Sequence, residues 1–169
     1  MLKSRPASLY GLIIGLAVGI AGCSSSMGER TSELQAIMAR PTEFPNYPQS
    51  DNTYLTFSQH HGFQVNYLAA NGRSWLWYPG NDGAVPELWR VDQAQDRVCW
   101  KHPSNSYNPV TGQHGGQESC ENLTLSRKLV IAKLRGDPYN LASGHTPATL
   151  DKCTAPKEFR FDREKYRCK

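Results

Sequence analysis

The stretch QVNYLAANGRSWLWYPGNDGAVPELWRVDQAQDRVCWKH, Gln64 to His102, decides the fold. In it, runs rich in aromatic and β-branched residues alternate with short segments of Gly, Asn, Asp and Pro, the residues that favour turns. The Asn71-Gly72 pair predicts a two-residue type I′ hairpin, in which both central residues take positive φ. We therefore predict four consecutive antiparallel strands, a β-meander, from about Phe63 to His102.

Alternation along these strands assigns the large side chains to faces of the sheet, because successive side chains of a strand point to opposite sides. The pattern predicts a sheet with one buried side. It places Trp75 and Trp77 on one face and Leu76 and Tyr78 on the other, and it groups Trp89 with Val91 and Trp100 with Val98.

The chain after the meander is harder to assign. LSRKLVIAKLRGDP, 125–138, has apolar residues near helical spacing and a Gly136 stop, which favours a helix over the alternative of a strand. A last strand is expected around Phe159. The fold class predicted is mainly β: an antiparallel meander or small open barrel with a short helix, stapled by two disulfides.

The N-terminus has the pattern of an export signal. Lys3 and Arg5 precede an uncharged run, Leu9 to Ile20, that is shorter than the ~20 residues needed to span a bilayer. Ile20-Ala21-Gly22-Cys23 resembles the end of bacterial lipoprotein signals. The resemblance implies cleavage before Cys23, acylation of its thiol and new amino group, and, since Ser24 follows, sorting to the outer membrane. An ordinary cleaved signal is the alternative.

Three segments follow from this interpretation: a lipoprotein signal peptide at 1–22, a lipidated Cys23 with a flexible tether at 23–50, and a disulfide-stapled β-rich domain at 51–169. Within the tether, Ser32-Glu33-Leu34-Gln35 has capping-box form and predicts a short helix that Pro41 ends. The rest of the tether is rich in proline and predicts an extended spacer between the bilayer and the domain.

Four cysteines remain after Cys23: Cys99, Cys120, Cys153 and Cys168. An even number in an exported chain predicts disulfides, because the periplasm is oxidising. Of the three possible connectivities, the sequential one closes the shortest loops. Zinc is the alternative, but no Cys-x-x-Cys pair is present and the spacings match no common zinc module.

Charge and motifs argue against several classes of function. Removal of Lys3 and Arg5 with the signal leaves 17 of the 19 basic side chains against 15 acidic ones, a surplus too small to indicate a nucleic-acid partner. The histidines lack metal-pair spacing, and no nucleophile elbow or phosphate-binding loop is present. Glu87, Asp92 and Asp96 are interpreted as solvated charges at strand edges. We predict no cofactor, no metal and no catalytic residue.

The aromatic residues are the stronger lead to a site. Most of those around the meander are expected to be core, since Trp and Tyr fill sheets well. The functional alternative is an aromatic face or mouth that stacks on a glycan, lipid or peptide. For that role the candidates are Trp77, Tyr78, His102 and Tyr107, because strand ends and the long loop after His102 reach one edge of the sheet.

The run NGRSWLWYPGNDGAVPELWRVDQAQDRVCW with the following SYNPVTG and Cys120 resembles small exported alphaproteobacterial proteins with a β-meander domain of unknown function. The resemblance covers about residues 60–120 and implies an exported β-meander, but no catalytic residues.

The function expected is a non-enzymatic binding or structural role in the cell envelope, for a periplasm-facing lipoprotein of the outer membrane. Its partners would be the membrane, through the lipid, and another envelope protein or a glycan. Two alternatives stay open: a small hydrolase or transferase acting on peptidoglycan or lipid, and an inhibitor of a lysozyme-like enzyme.

Overall fold

The computed structural model describes residues 24–108 and 112–168, so the predicted signal peptide and Cys23 lie outside the described residues. The main element is a seven-stranded antiparallel sheet. Its strands are β1 (Asn52–Ser58), β2 (Gly62–Leu68), β3 (Arg73–Trp77), β4 (Val85–Asp92), β5 (Arg97–Lys101), β8 (Glu118–Asn122) and β9 (Val130–Arg135). A short ladder, β6 (Tyr107–Asn108) with β7 (Gln113–His114), lies in the loop between β5 and β8.

The predicted meander is confirmed. Strands β2 to β5 pair consecutively and antiparallel within the spatial order β8-β5-β4-β3-β2-β1-β9. The predicted groupings also hold, because Trp89 pairs with Trp100 and Val91 with Val98 across β4 and β5. Strand β1 was not predicted: it pairs with both β2 and β9 and places a second, later part of the chain beside the meander.

The sheet curls towards a barrel. Helix α2 (Leu123–Leu129) connects β8 and β9, the two strands at opposite edges of the sheet. Seven residues of α-helix rise only about 10 Å, so the two edges must come close together. The predicted mainly β fold with an open-barrel character is therefore present.

The first hairpin differs from the predicted type I′ turn. Only Gly72 has positive φ, at 76°, whereas a type I′ turn needs Asn71 there too. The Gly72 N–H donates to the Ala69 carbonyl at 3.3 Å, and the Ala69 N–H donates to the Arg73 carbonyl at 2.9 Å. This is the three-residue loop in which a type I turn is followed by a left-handed glycine, so Asn71 keeps ordinary backbone angles.

The helix predicted around residues 125–134 is half right. Residues to Leu129 are helical, and Asn122 caps them by accepting a hydrogen bond from the Leu125 N–H at 3.1 Å. From Val130 the chain is a strand instead. Pairing with β1 buries Ile131 and Ala132 in the core, and this tertiary burial outweighs the local helical spacing.

Helix α1 (Ser24–Met38) begins eight residues before the predicted capping box at Ser32. Ser32 and Gln35 therefore lie inside the helix and not at its start. The Glu33 carboxylate accepts from the Gln59 N–H and contacts His60 in the turn between β1 and β2. Further along the predicted tether, Tyr47 packs edge-on against Tyr54 of β1, with ring centroids 4.9 Å apart. The spacer role of this segment stays a prediction. Neither helix among the described residues is long and apolar enough to span a membrane.

The prediction of one buried side is wrong, because both faces of the sheet carry a core. The outer face, with Leu55, Val65 and Trp77, is covered by the C-terminal segment through Phe159 and Tyr166. The inner face carries Tyr54, Leu68, Val98, Trp100 and, on the same alternation, Glu87 and Glu121; at one end of the sheet Tyr47 and Leu123 cover it. The inner core therefore fills that end, and the opposite end stays open.

Both predicted disulfides are present. Cys99–Cys120 joins directly opposed positions of β5 and β8, and Cys153–Cys168 closes the C-terminal segment. The strand expected around Phe159 is wrong: residues 151–168 form turns and irregular chain. Phe159 is nevertheless 1% exposed, since the disulfide and the outer core hold it without strand pairing.

Candidate functional site

A cleft of about 550 Å³ opens at the unfilled end of the inner face. Strands β3 and β5 end at this edge and strands β4 and β8 begin there, because neighbouring antiparallel strands run in opposite directions. The lining combines aromatic rings, imidazoles, amides and carboxylates, and no described lining residue is Lys or Arg. It comprises Leu76, Tyr78, Asn81, Val85, Trp100, His102, Ser106, Tyr107, Asn108, His114, Gly115, Gln117, Glu118, Ser119 and Glu121.

A buried carboxylate lies beneath the cleft wall. The Glu87 side chain is 2% exposed, and its Oε1 lies 2.9 Å from Nδ1 of His102, a residue of the lining. Its Oε2 accepts hydrogen bonds from Ser74 Oγ at 3.0 Å and Asn66 Nδ2 at 3.3 Å. A buried carboxylate is costly unless paired, and these three partners supply that compensation.

His102 is held by this carboxylate. The hydrogen bond to Glu87 raises the pKa of His102, and the nearby negative charge adds to it, while partial burial opposes both. Since Nδ1 faces Glu87, Nε2 is the ring nitrogen left for a ligand. The side chain is 39% exposed, so that ligand could reach it directly from the cleft.

Glu121 lies deeper, opposite Val98 in the ladder between β5 and β8. Burial raises its pKa, and hydrogen bonds with Ser126 and Trp100 act in the other direction. The Trp100 Nε1–H donates to Glu121 Oε1 at 3.4 Å. Among the described residues, no Lys, Arg or His nitrogen lies within salt-bridge distance of this carboxylate.

Glu118, at the rim, is different because it already has a cation. Arg90 Nε and Nη2 donate to its two carboxylate oxygens at 2.8 and 2.6 Å. These hydrogen bonds lower the pKa of Glu118. The rim carboxylate is thus neutralised by a protein side chain.

The loop between β5 and β8 forms one wall of the cleft. It folds back on itself through the Gly115 N–H, which donates to the Ser106 carbonyl at 3.0 Å, and the Gly116 N–H, which donates to the His102 carbonyl at 3.0 Å. A Cβ at Gly115 would lie 2.0 Å from the Pro103 carbonyl oxygen. Only glycine fits this close approach, which carries Tyr107 and His114 to the cleft with their ring centroids 5.0 Å apart.

The structure brings three of the four candidate binding residues together. Tyr78, His102 and Tyr107 line the cleft. Trp77 does not: it is 4% exposed in the outer core, and its Nε1–H donates to the Ala148 carbonyl at 3.0 Å. The reason is the alternation of β3, which turns Trp77 and Tyr78 to opposite sides. The proposed lipidation residue, Cys23, lies outside the described residues.

Sequence reasoning missed Trp100, Glu121 and Glu87 as residues of the site. The interpretation of Glu87 as a solvated strand-edge charge is wrong, because it is buried. A usable signal was present: Glu87 has the same alternation as Trp89 and Val91, and therefore faces the buried side. Glu121 carries a weaker signal. It follows Cys120 on the same strand, and successive side chains of a strand point to opposite faces, so Glu121 faces away from the disulfide.

The described residues also hold one group with metal-ligand proximity, Cys99, Glu118 and Cys120. The two sulfurs of this group form a disulfide and its carboxylate binds Arg90, so these atoms are not free to bind a metal ion.

The curled sheet and its cleft define an antiparallel, open β-barrel domain with a ligand-sized cavity at one end. No protein-family model matches the chain, and no curated protein or solved structure matches it at a significant level. The resemblance to exported alphaproteobacterial β-meander proteins stays a prediction.

Proposed function

We propose that this protein is a lipoprotein, anchored through Cys23 to the periplasmic side of the outer membrane, whose β domain binds a small ligand of the cell envelope. The binding site is the cleft, and the role is binding without chemical change of the ligand. The membrane attachment rests on the N-terminal sequence pattern alone, whereas the binding role rests on the geometry of the cleft.

One observation carries the binding role: polar groups that are costly to bury lie in and beneath an aromatic cleft of about 550 Å³. Small-molecule sites are concave, combine apolar and aromatic surface with a few oriented polar groups, and occur at barrel mouths. Among the described residues, the Glu87 carboxylate contacts Ser74, Asn66 and His102, and it thereby fixes the His102 ring at the cleft. Such an arrangement is expected where His102 must be oriented towards a ligand.

A hydrolase or transferase is the second candidate, and the Glu87–His102 pair favours it. When neutral, His102 donates Nδ1–H to Glu87 and offers the Nε2 lone pair, the arrangement of a general base. No described hydroxyl or thiol is hydrogen-bonded to the His102 ring. A hydrolase would therefore use water as the nucleophile, and a transferase would use a group of its acceptor substrate.

Saturation-transfer-difference NMR on the full acylated protein in detergent micelles tests the binding role. The probes are N-acetylglucosamine, glucuronate and choline, which are neutral, anionic and cationic. We expect at least one probe to receive saturation, and Tyr107→Ala to weaken the effect. Tyr107 is 57% exposed, so its truncation should leave the fold intact; Trp100→Ala provides a second test from the cleft floor.

Leu88→Ala is the matched control, because Leu88 is 53% exposed and belongs to the opposite face from Trp89. The proposal fails if no probe receives saturation, or if the signal survives both cleft variants. Hydrolysis of the N-acetyl amide of N-acetylglucosamine to glucosamine and acetate, seen as acetate resonances that grow with time and disappear in His102→Gln, would replace it by the hydrolase candidate.

A further inference from the structure

The charges around the cleft are unevenly compensated. Glu118 is matched by Arg90, and Glu87 is matched by His102 when that imidazole is protonated. Glu121 alone has no basic side chain within salt-bridge distance among the described residues. When ionised, it therefore leaves one uncompensated negative charge in a cleft without Lys or Arg in its described lining.

An aromatic ring lies beside this charge. Trp100 donates its Nε1–H to Glu121 at 3.4 Å, so the indole and the carboxylate are adjacent in the cleft. Trp is the strongest cation–π partner among the side chains, and the attraction grows when the cation is desolvated. Tyr78 and Tyr107 add two more rings to the same lining.

We propose that the cleft selects a ligand with a quaternary or fully methylated ammonium group, packed on the face of the Trp100 ring next to the Glu121 carboxylate. This inference rests on the proposed binding role and names the ligand class. The ligand's cation supplies the positive charge that is missing beside the Glu121 carboxylate, and its methyl groups contact the aromatic rings.

Other occupants fit less well. An anionic ligand would meet the charge of Glu121 in a cleft whose described lining holds no Lys or Arg. A metal ion needs several ligand atoms, and Glu121 belongs to no group of three potential ligands among the described residues. A primary ammonium carries three donors that each need an acceptor, whereas Glu121 Oε1 already accepts from Trp100. A methylated ammonium needs no acceptor at all.

Choline and 3,3-dimethyl-1-butanol test the assignment, because they have the same shape and differ in charge. Isothermal titration of the full acylated protein in micelles should show choline binding at least about tenfold more tightly than the alcohol, and also more tightly than butylamine. Glu121→Gln should reduce choline affinity about tenfold, close to that of the alcohol, without a matching change for the alcohol.

Glu164→Gln is the matched control, since it removes the same charge from a side chain that is 80% exposed in the C-terminal segment. It should leave choline affinity unchanged. The ligand class is wrong if the alcohol or butylamine binds as tightly as choline, or if Glu121→Gln has no effect. Either outcome would leave the proposed binding role intact. That role fails as well if none of choline, butylamine, the alcohol, N-acetylglucosamine and glucuronate binds.

Discussion

At the residue scale, Glu87 and His102 show how neighbouring strands make a site. Their side chains come from β4 and β5 and meet at 2.9 Å on the inner face, where Ser74 and Asn66 complete the hydrogen bonding of the carboxylate. Truncating Glu87 would leave the buried Ser74 hydroxyl and the half-buried Asn66 amide without this partner. A polar network of this kind orients His102 because all its members are constrained together.

The first prediction concerns the titration of His102. Its pKa in the folded protein should lie above the ordinary value of 6.5, because Glu87 stabilises the imidazolium. The stability from this pair is fully present below pH 6.5 and is lost as the pH rises through the folded pKa. NMR titration of the imidazole Cε1–H resonance measures the shift.

Glu87→Gln is the comparison, since the amide keeps the volume and loses the charge. It should move the His102 pKa down towards the ordinary value. A wild-type His102 that titrates at or below 6.5 would contradict the orienting role of Glu87.

The second prediction concerns the stability cost of Glu121. Burial raises its folded pKa above the ordinary 4.5, so the native state holds this proton more tightly than the unfolded state. The free energy of unfolding should therefore fall as the pH rises from about 4.5 through the folded pKa. Glu121→Gln should unfold at a higher temperature than wild type at pH 7, and at nearly the same temperature near pH 4.

Differential scanning calorimetry at the two pH values measures this difference. Glu164→Gln, which changes an exposed carboxylate, should show little difference at either pH. Equal unfolding temperatures for Glu121→Gln and wild type at pH 7 would mean that Glu121 carries no burial cost, contrary to the structure.

At the element scale, the loop between β5 and β8 depends on one close backbone approach. The third prediction is that Gly115→Ala displaces this loop, because the new Cβ would lie 2.0 Å from the Pro103 carbonyl oxygen. Overpacking of this kind costs about 1–3 kcal/mol. Probe binding in the cleft should fall at least about tenfold, measured by titration, while urea unfolding gives the stability change.

Asn105→Ala is the control, as Asn105 is an exposed residue of the same loop. It should change neither binding nor stability by more than about 0.5 kcal/mol. If Gly115→Ala bound the probe as tightly as wild type does, the loop between β5 and β8 would take no part in the site.

The C-terminal segment, residues 151–168, has no regular secondary structure. The Cys153–Cys168 disulfide holds it in place, as a hydrogen-bonded ladder would hold a strand. The fourth prediction is that Cys153→Ser with Cys168→Ser lowers the free energy of unfolding by about 3 kcal/mol, as expected for a closed loop of 15 residues. Urea unfolding measures it. The outer core should open first, because Phe159 and Tyr166 lie between the two cysteines. An unchanged free energy would show that the outer core alone holds the segment.

At the scale of the whole molecule, the chain combines a predicted membrane anchor with a domain whose cleft opens at one end of the barrel. The turn between β1 and β2, which contacts Glu33 of α1, lies at this same end of the sheet. Glu33 of helix α1 therefore lies at the cleft end of the sheet.

The fifth prediction is that Cys23→Ala moves the protein from the membrane fraction to the soluble periplasmic fraction, because no thiol remains for acylation. Fractionation with immunodetection measures it. The domain should unfold at the same temperature as wild type. A variant that stays in the membrane fraction would contradict the lipid anchor.

The sequence by itself determined the meander and which of its side chains share a face, and it favoured the sequential disulfide pairing, because these depend on residues close together in the chain: alternation, turn residues and short loops. Tertiary structure alone decided the rest. Strand β9 forms only because β1, far away in sequence, pairs with it and buries Ile131. Likewise Glu87 becomes part of a site only when the register of β4 and β5 brings His102 to it and the curl of the sheet removes it from water. Local spacing specifies which way a side chain points, but burial and partners depend on packing between distant segments.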